Sequence, residues 1–281
     1  MNVDDLLSRA RSQLAAAGAD SPRLDAELLM AHVLGVGRER LIGRSRDAIT
    51  GDQCAAFEGL VARRVRHEPV AYLLGRREFY GLELAVDARV LVPRPETEHL
   101  VEVVLAALKE GGLPVGWGLD LGTGSGAVAI AIAHHCRAAR LIASDVSRSA
   151  LAVARANVGA HALGDRIHLV VADALDGIAP GLAFIASNPP YVGEDEREGM
   201  MRDVVLHEPE CALFSGRDGT VLLERLVDQA PAWLQPAGLL AVECAPWQAE
   251  SLVARASAWG RCEIARDLAG RPRIVVVRRR A

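Results

Sequence analysis

Aromatic side chains are scarce, at 4% of the chain, while 51% of its residues are hydrophobic. With Ala, Val, Leu and Gly prominent, that balance disfavours an aromatic-rich β-sandwich and favours layered α/β packing. Cysteines are few and scattered: Cys54, Cys136, Cys211, Cys244 and Cys262 form no Cys-x-x-Cys pair. They suit buried thiols of a reducing compartment better than a disulfide frame or a zinc site. The His134-His135 pair has no ligand-like neighbours, so no metal role is expected. Positive charge is not in excess, the net charge being −4. A general nucleic-acid binder needs a Lys/Arg surplus to neutralise phosphates, and direct nucleic-acid binding is therefore not expected. No apolar run is long enough to span a bilayer, and Asp4 and Asp5 replace the basic region of a signal peptide. A cytoplasmic protein with no membrane partner is the expectation.

At 281 residues the chain is long for one domain, and two unequal domains are expected. Residues 1–74 read as a small helical domain. Asn2 can cap a helix whose Leu6, Leu7, Ala10 and Leu14 share a face, and Ser21-Pro22 opens a second with Leu24, Leu28, Leu29 and Val33. Thr50 and Gln53 have capping-box spacing for a third, carrying Cys54, Phe57, Leu60 and Val61. The run Arg63-Arg64-Val65-Arg66-His67 reads as a solvated helix face, with contact to RNA or an acidic partner as the alternative. Residues 75–93 alternate around Gly81 and suggest a β-hairpin linker. Residues 94–281 begin with a proline-led helix and then alternate strand with helix. Strands are expected at Val115–Leu121, Arg140–Ser144, Ile167–Val171, Leu182–Ser187 and Leu239–Glu243, with a closing antiparallel pair at Cys262–Arg266 and Arg273–Val277. This alternation predicts a mostly parallel, doubly wound Rossmann-like sheet that binds ligands at the carboxyl ends of its strands.

Two of those strand ends carry chemistry. After Leu182–Ser187 comes Asn188-Pro189-Pro190-Tyr191, where consecutive prolines forbid both helix and ladder pairing. A stiff turn results, presenting one amide side chain, carbonyl acceptors and one aromatic face. It suits a planar group bearing an NH2, such as a carboxamide or an adenine; taken alone it is equally a rigid surface loop. The first strand ends in Asp120-Leu121-Gly122-Thr123-Gly124-Ser125-Gly126 and runs into a helix, whose free N–H groups can take a carboxylate or phosphate. Gly122-x-Gly124-x-x-Ala127 also fits a dinucleotide fingerprint, with Asp145 placed for a ribose diol. Asp120 tilts the choice, because an ammonium group gains from a carboxylate there and a pyrophosphate does not. Asp173, after the third strand, can accept from an adenine amine. Together with the Asn188 turn, the set Asp120, Gly122, Gly124, Gly126, Asp145 and Asp173 favours S-adenosyl-L-methionine as cofactor.

Several further stretches carry a resemblance: Pro69-Val70-Ala71-Tyr72-Leu73-Leu74-Gly75, Glu78-Phe79-Tyr80-Gly81, Val92-Pro93-Arg94-Pro95-Glu96-Thr97-Glu98, Glu208-Pro209 and the tail Asp267–Arg273. With the glycine loop and Asn188–Tyr191, they make the chain resemble the release-factor glutamine N5-methyltransferase family over nearly its full length. The resemblance implies a helical substrate-recognition domain, a hairpin linker and a seven-stranded class I methyltransferase domain. It implies methyl transfer from S-adenosylmethionine to the Gly-Gly-Gln glutamine of peptide chain release factors, a protein methylation of translation termination. Carried over by match, the cofactor residues are Gly122, Thr123, Gly124, Ser125, Gly126, Asp145 and Asn188; Asn188, Pro189, Pro190 and Tyr191 bind the glutamine. The catalytic set is then Asn188, Pro189 and Tyr191, in an enzyme expected to be a monomer. Two positions depart from the family pattern: Ala245 replaces a usual glycine, and Ala174 stands where some members place an aromatic.

Rival readings share parts of this pattern. Adenine-N6 methyltransferases of DNA or RNA use the same kind of turn, but the acidic balance and the lack of a target-recognition domain oppose them. A glutamine methyltransferase acting on a ribosomal protein is the closer alternative. A nicotinamide-dependent oxidoreductase lacks a hydride-transfer constellation here, and a non-catalytic module would have no use for an intact Asn188–Tyr191.

Overall fold

The computed structural model describes residues 2–267 and 269–280; Leu268, within the tail noted above, lies outside them. The chain divides into two compact units. One comprises the chain through Arg76 together with Met201–His207; the other comprises Arg77–Met200 and the chain from Glu208 onward. The hairpin that the sequence suggests as a linker thus groups, from Arg77, with the second unit, and a short distant segment groups with the first.

The first unit is helical: α1 (Val3–Ala16), α2 (Pro22–Leu34), α3 (Gly51–Val65) and α4 (Val70–Leu74). Asn2 and Asp5 form a reciprocal capping box at α1, and Thr50 and Gln53 form another at α3, each satisfying two otherwise orphaned N–H groups. Leu6, Leu7, Ala10 and Leu14 are buried against Leu29, Met30, Phe57 and Val61. Helix α2 departs from the expected stripe. It turns Asp25, Ala26, Glu27, Leu29, Met30 and Ala31 inward and leaves Leu24 exposed, and Ser21 makes no side-chain cap. The cause is ionic. Glu27 accepts from Arg23 and Arg38 at 2.7 and 2.8 Å, and Asp25 accepts from Arg64 at 2.8 Å. Arg64 is therefore a largely covered ion-pair partner and not part of a solvated face.

The second unit opens with the hairpin β1 (Arg76–Phe79) and β2 (Leu82–Ala85). Helix α5 (Glu98–Lys109) follows a 3-10 turn at Pro95–Thr97 and buries Leu100, Val101 and Val104. Then come β3 (Gly118–Leu121), α6 (Ala127–His135), β4 (Leu141–Asp145), α7 (Arg148–Ala160), β5 (Ile167–Val171) and β6 (Leu182–Ser187). Past α8 (Arg202–His207), which groups with the helical unit, the order closes with α9 (Val221–Trp233), β7 (Leu234–Glu243), α10 (Ala249–Ala256), β8 (Gly260–Arg266) and β9 (Pro272–Arg279).

Seven strands form one sheet in the order β5-β4-β3-β6-β7-β9-β8. Strands β3 to β7 pair in parallel, and β9 runs antiparallel between β7 and β8. Apolar clusters line both faces, one containing Val101, Ile130 and Phe184, the other Leu119, Leu226 and Val242. The first strand begins three residues later than the sequence suggests, leaving Val115 exposed, because its parallel partners Leu141 and Phe184 start opposite Gly118. The fifth extends back to Leu234, which pairs with Leu182 across an irregularity in register.

At Gly118 the sheet face is filled by the Phe184 ring, and a Cβ there would run into it. Gly118→Ala is expected to destabilise the protein by about 1–3 kcal/mol through overpacking. A shift of the urea midpoint to lower concentration with an unchanged slope checks it.

Candidate active site

The order of the sheet reverses at β3, where the chain goes first to β4 on one side and later to β6 on the other. The crevice beyond such a switch point is where doubly wound folds bind ligands. Leu121 and Ser187 are register partners at the ends of β3 and β6. The Ser187 hydroxyl donates to the Leu121 carbonyl at 2.8 Å, tying the glycine loop to the Asn188 turn.

The glycine loop takes positive φ at Gly122, Gly124 and Gly126. A side chain at Gly126 would also press on Ile130 of α6. Asp120 lies beneath the loop, 1% exposed. One of its oxygens, Oδ2, accepts from the Thr123 hydroxyl at 2.6 Å and the Ala129 N–H at 3.0 Å. Burial nevertheless pushes its pKa up to about 6, because these two bonds offset only part of the desolvation. Asp145 holds the loop from outside: Oδ2 accepts from Gly124 N at 2.9 Å and Oδ1 from Ser147 N at 2.8 Å. Its pKa is also raised, by burial working against those bonds. Asn157, on α7, is buried and makes a three-point clamp. Its amide group donates to the Ala85 and Ser125 carbonyls and its oxygen accepts from Ala85 N, at 2.8–2.9 Å. The hairpin is thereby tied to the glycine loop.

The second half of the site is braced by residues far apart in the chain. Asn188 donates from Nδ2 to the Thr97 hydroxyl at 2.8 Å. The Tyr191 hydroxyl donates to Glu243 Oε1 at 3.1 Å, and Gln248 donates to the Tyr191 carbonyl at 3.0 Å. Arg94 donates from Nη2 to both oxygens of the buried Glu208 at 2.8 Å. Burial raises the pKa of Glu243, offset in part by the Thr97 and Tyr191 hydroxyls. No bond of ordinary length and angle closes between Thr97 and that carboxylate, and Oε2 is buried without a partner. Tyr191 is raised too, first by burial and then by the adjacent charge of Glu243.

One cavity gathers Gly122, Gly124, Asp145, Asp173, Asn188 and Pro190 in its lining. Asp120, Thr123, Ser125, Gly126, Pro189 and Tyr191 are not in that lining. Asp173 also accepts from Arg225 at 2.9 Å, so its carboxylate is shared between the cavity rim and a surface ion pair. Ala174 lines the cavity with a left-handed backbone, whereas Ala245 lies outside the lining and donates to the Gln248 side chain. Sequence reading missed Arg89–Leu91 and Pro209 in the lining, and Thr97, Glu243, Gln248 and Asn157 behind it. The Pro93–Glu98 box and Glu208-Pro209 were signals for part of this, since both supply partners of the turn. Asn157 and Gln248 carry no local pattern at all. No cluster of potential metal ligands occurs among the described residues, and no described helix is long and apolar enough to cross a membrane.

The lining fits a nucleoside bearing an amino acid. Leu121, Ala150, Ala172 and Ala174 offer an apolar slab for a base, and the Asp145 and Asp173 carboxylates offer acceptors for hydroxyl or amine groups. A sheet of this order, with the glycine loop and the Asn188 turn facing each other across its switch point, defines a class I methyltransferase that uses S-adenosyl-L-methionine. Solved structures share the fold. A methyltransferase from Pyrococcus furiosus matches with TM-score 0.53 and 17% identity, over 78% of this chain and 98% of its own. The T. thermophilus 16S rRNA N2 G1207 methyltransferase, solved with AdoMet and guanosine, matches with TM-score 0.51 and 17% identity over 73% of this chain and 50% of its own.

Sequence comparison is more specific. Residues 5–75 match the PrmC N-terminal domain and residues 97–217 the methyltransferase small domain. The release factor glutamine methyltransferase of Rhodopirellula baltica is 41% identical over 92% of this chain and 90% of its own length. That of Koribacter versatilis is 38% identical over 99% of both chains. The chain belongs to the release factor glutamine methyltransferase family.

Because folding raises the Asp120 pKa from 3.8 to about 6, the folded state holds this proton more tightly than the unfolded one. Its contribution to stability is whole below the unfolded value and is lost as pH rises through the folded one. The stability advantage of the wild type over Asp120→Asn is therefore expected to shrink by about 2.4 kcal/mol between about pH 4 and about pH 7.5. Urea unfolding of both proteins across that range checks it; a difference independent of pH refutes it.

Proposed function

We propose that this chain methylates the side-chain amide nitrogen of the Gly-Gly-Gln glutamine of peptide chain release factors, and that Asn188, Pro189 and Tyr191 carry the reaction. The observation that carries the reading is the Asn188 amide, anchored through its NH2 to Thr97 and lining the same cavity as the glycine loop. Relatives aligned over the whole chain bear the name of this activity.

An amide nitrogen is a weak nucleophile because its lone pair is delocalised into the carbonyl. S-adenosylmethionine, when bound, supplies a methyl group on a positively charged sulfur, so the leaving group needs no acid. Asn188 Oδ1 and the Pro189 carbonyl each accept one N–H of the glutamine amide. They hold its nitrogen in line and stabilise positive charge as it builds there. Pro190 has no N–H to compete for those acceptors. Tyr191, its hydroxyl tied to Glu243, sets an aromatic face against the planar amide and excludes water. One amide proton then passes to solvent, so no base of shifted pKa is required. Gly122, Gly124, Asp145, Asp173 and Asn188 hold the cofactor directly. Asp120, Thr123, Ser125 and Gly126 shape the loop that receives it.

Asn188→Ala is expected to lower turnover by about a hundredfold or more while changing cofactor affinity only a few-fold. Labelled methyl transfer and calorimetric titration with S-adenosylhomocysteine separate the two. The same transfer assay, offered release factor, its Gln-to-Ala variant, ribosomal protein and DNA, tests the substrate. Label that persists in the Gln-to-Ala variant, or that goes to DNA, sinks the assignment.

A further inference from the structure

We propose that Thr97, backed by Glu243, is a positioning residue that fixes which end of the Asn188 carboxamide meets the substrate. It would thereby make the site select a glutamine amide over a glutamate carboxylate. The inference rests on the methyl-transfer reading of the same turn and assigns its specificity.

The two ends of a carboxamide have nearly the same shape, so sterics alone do not choose between them. The hydrogen-bond partner chooses. Here the NH2 end of Asn188 is spent on Thr97 Oγ1 at 2.8 Å. A hydroxyl can donate or accept, and its neighbour decides which. Thr97 is 4% exposed and Glu243 is 1% exposed; burial raises the Glu243 pKa, and the nearby Thr97 and Tyr191 hydroxyls work against that rise. An ionised carboxylate only accepts. The Thr97 proton is therefore drawn towards Glu243, whose Oε2 is buried with no hydrogen-bond partner, and its lone pairs are left for Asn188.

Polarity runs one way along this chain: Glu243 accepts from Tyr191 and draws Thr97, Thr97 accepts from Asn188, and Asn188 is left with its oxygen for the substrate. A flipped Asn188 would need Thr97 to donate to Oδ1, withdrawing that proton from a buried carboxylate. It would also meet the substrate NH2 with a second NH2. A carboxylate substrate brings only lone pairs to Oδ1 and the Pro189 carbonyl, and is repelled. The discrimination is thus built two residues away from the substrate.

Thr97→Val keeps the shape and removes the acceptor, while Thr97→Ser keeps the hydroxyl. With release factor as substrate, T97V is expected to lower kcat by about tenfold to a hundredfold, and T97S to stay within about threefold of the wild type. S-adenosylhomocysteine affinity should change by less than about threefold in both. The readout that a merely structural role would not move is competition by a release factor carrying Glu for the target Gln. It should inhibit T97V more strongly, relative to the native factor, than it inhibits the wild type or T97S. Equal turnover and equal competition in T97V and T97S overturn the proposal while leaving the reaction assigned. A wild-type enzyme that leaves the glutamine unmethylated removes the reading on which both rest.

Discussion

Parallel pairing of β3 with β6 is the constraint on which the site depends. It brings together two strand ends separated by 66 residues and seals them with the Ser187 hydroxyl on the Leu121 carbonyl. Every strand position of β6 is buried, so a one-residue slip would cost apolar contacts on both faces of the sheet at once. Register is therefore held by the core, and the two loops inherit it. The glycine loop and the Asn188 turn face one cavity because Gly118 and Phe184 interlock on the opposite end of the same pair.

Buried acids then give the loops their shape. Asp120, Asp145 and Glu243 each lose hydration on folding and each recover part of it from donors that matter to the site. Asp120 gathers the loop and the start of α6, Asp145 takes the Gly124 N–H, and Glu243 takes the Tyr191 hydroxyl. Desolvation raises all three above their ordinary values, which marks the bonds as insufficient to offset burial fully. Such groups are retained for geometry more readily than for stability. In the helical unit Glu27 shows the other outcome: hydrogen bonds from Arg23 and Arg38 lower its pKa against burial.

Much of this was legible in the sequence wherever the cause is local. Both capping boxes, the proline-led start of α5, the hairpin at Gly81 and the glycine loop follow from dihedral preferences and short-range hydrogen bonds. The failures share a different cause. Helix α2 buries acids where apolar periodicity pointed elsewhere, because two of their arginine partners, Arg38 and Arg64, lie on other segments, and Leu24 is exposed. Asn157 and Gln248 have no local signature for the site, since Asn157 holds the Ser125 and Ala85 carbonyls 32 and 72 residues away and Gln248 the Tyr191 and Gly219 carbonyls 57 and 29 residues away.

What the sequence determined by itself is the kind of chemistry: a stiff acceptor-rich turn after a buried strand, and a glycine loop with acids beside it. Those properties belong to φ angles, missing N–H groups and side-chain types, and they survive outside any fold. Tertiary structure decided which of these residues meet. It left Asp120, Pro189 and Tyr191 out of the cavity lining, brought Arg89–Leu91, which follow the hairpin, into its wall, and placed Thr97 on the Asn188 amide. The polarity of a carboxamide depends on the partner at its far end. That partner comes from strand order and register, which no single stretch of the chain encodes.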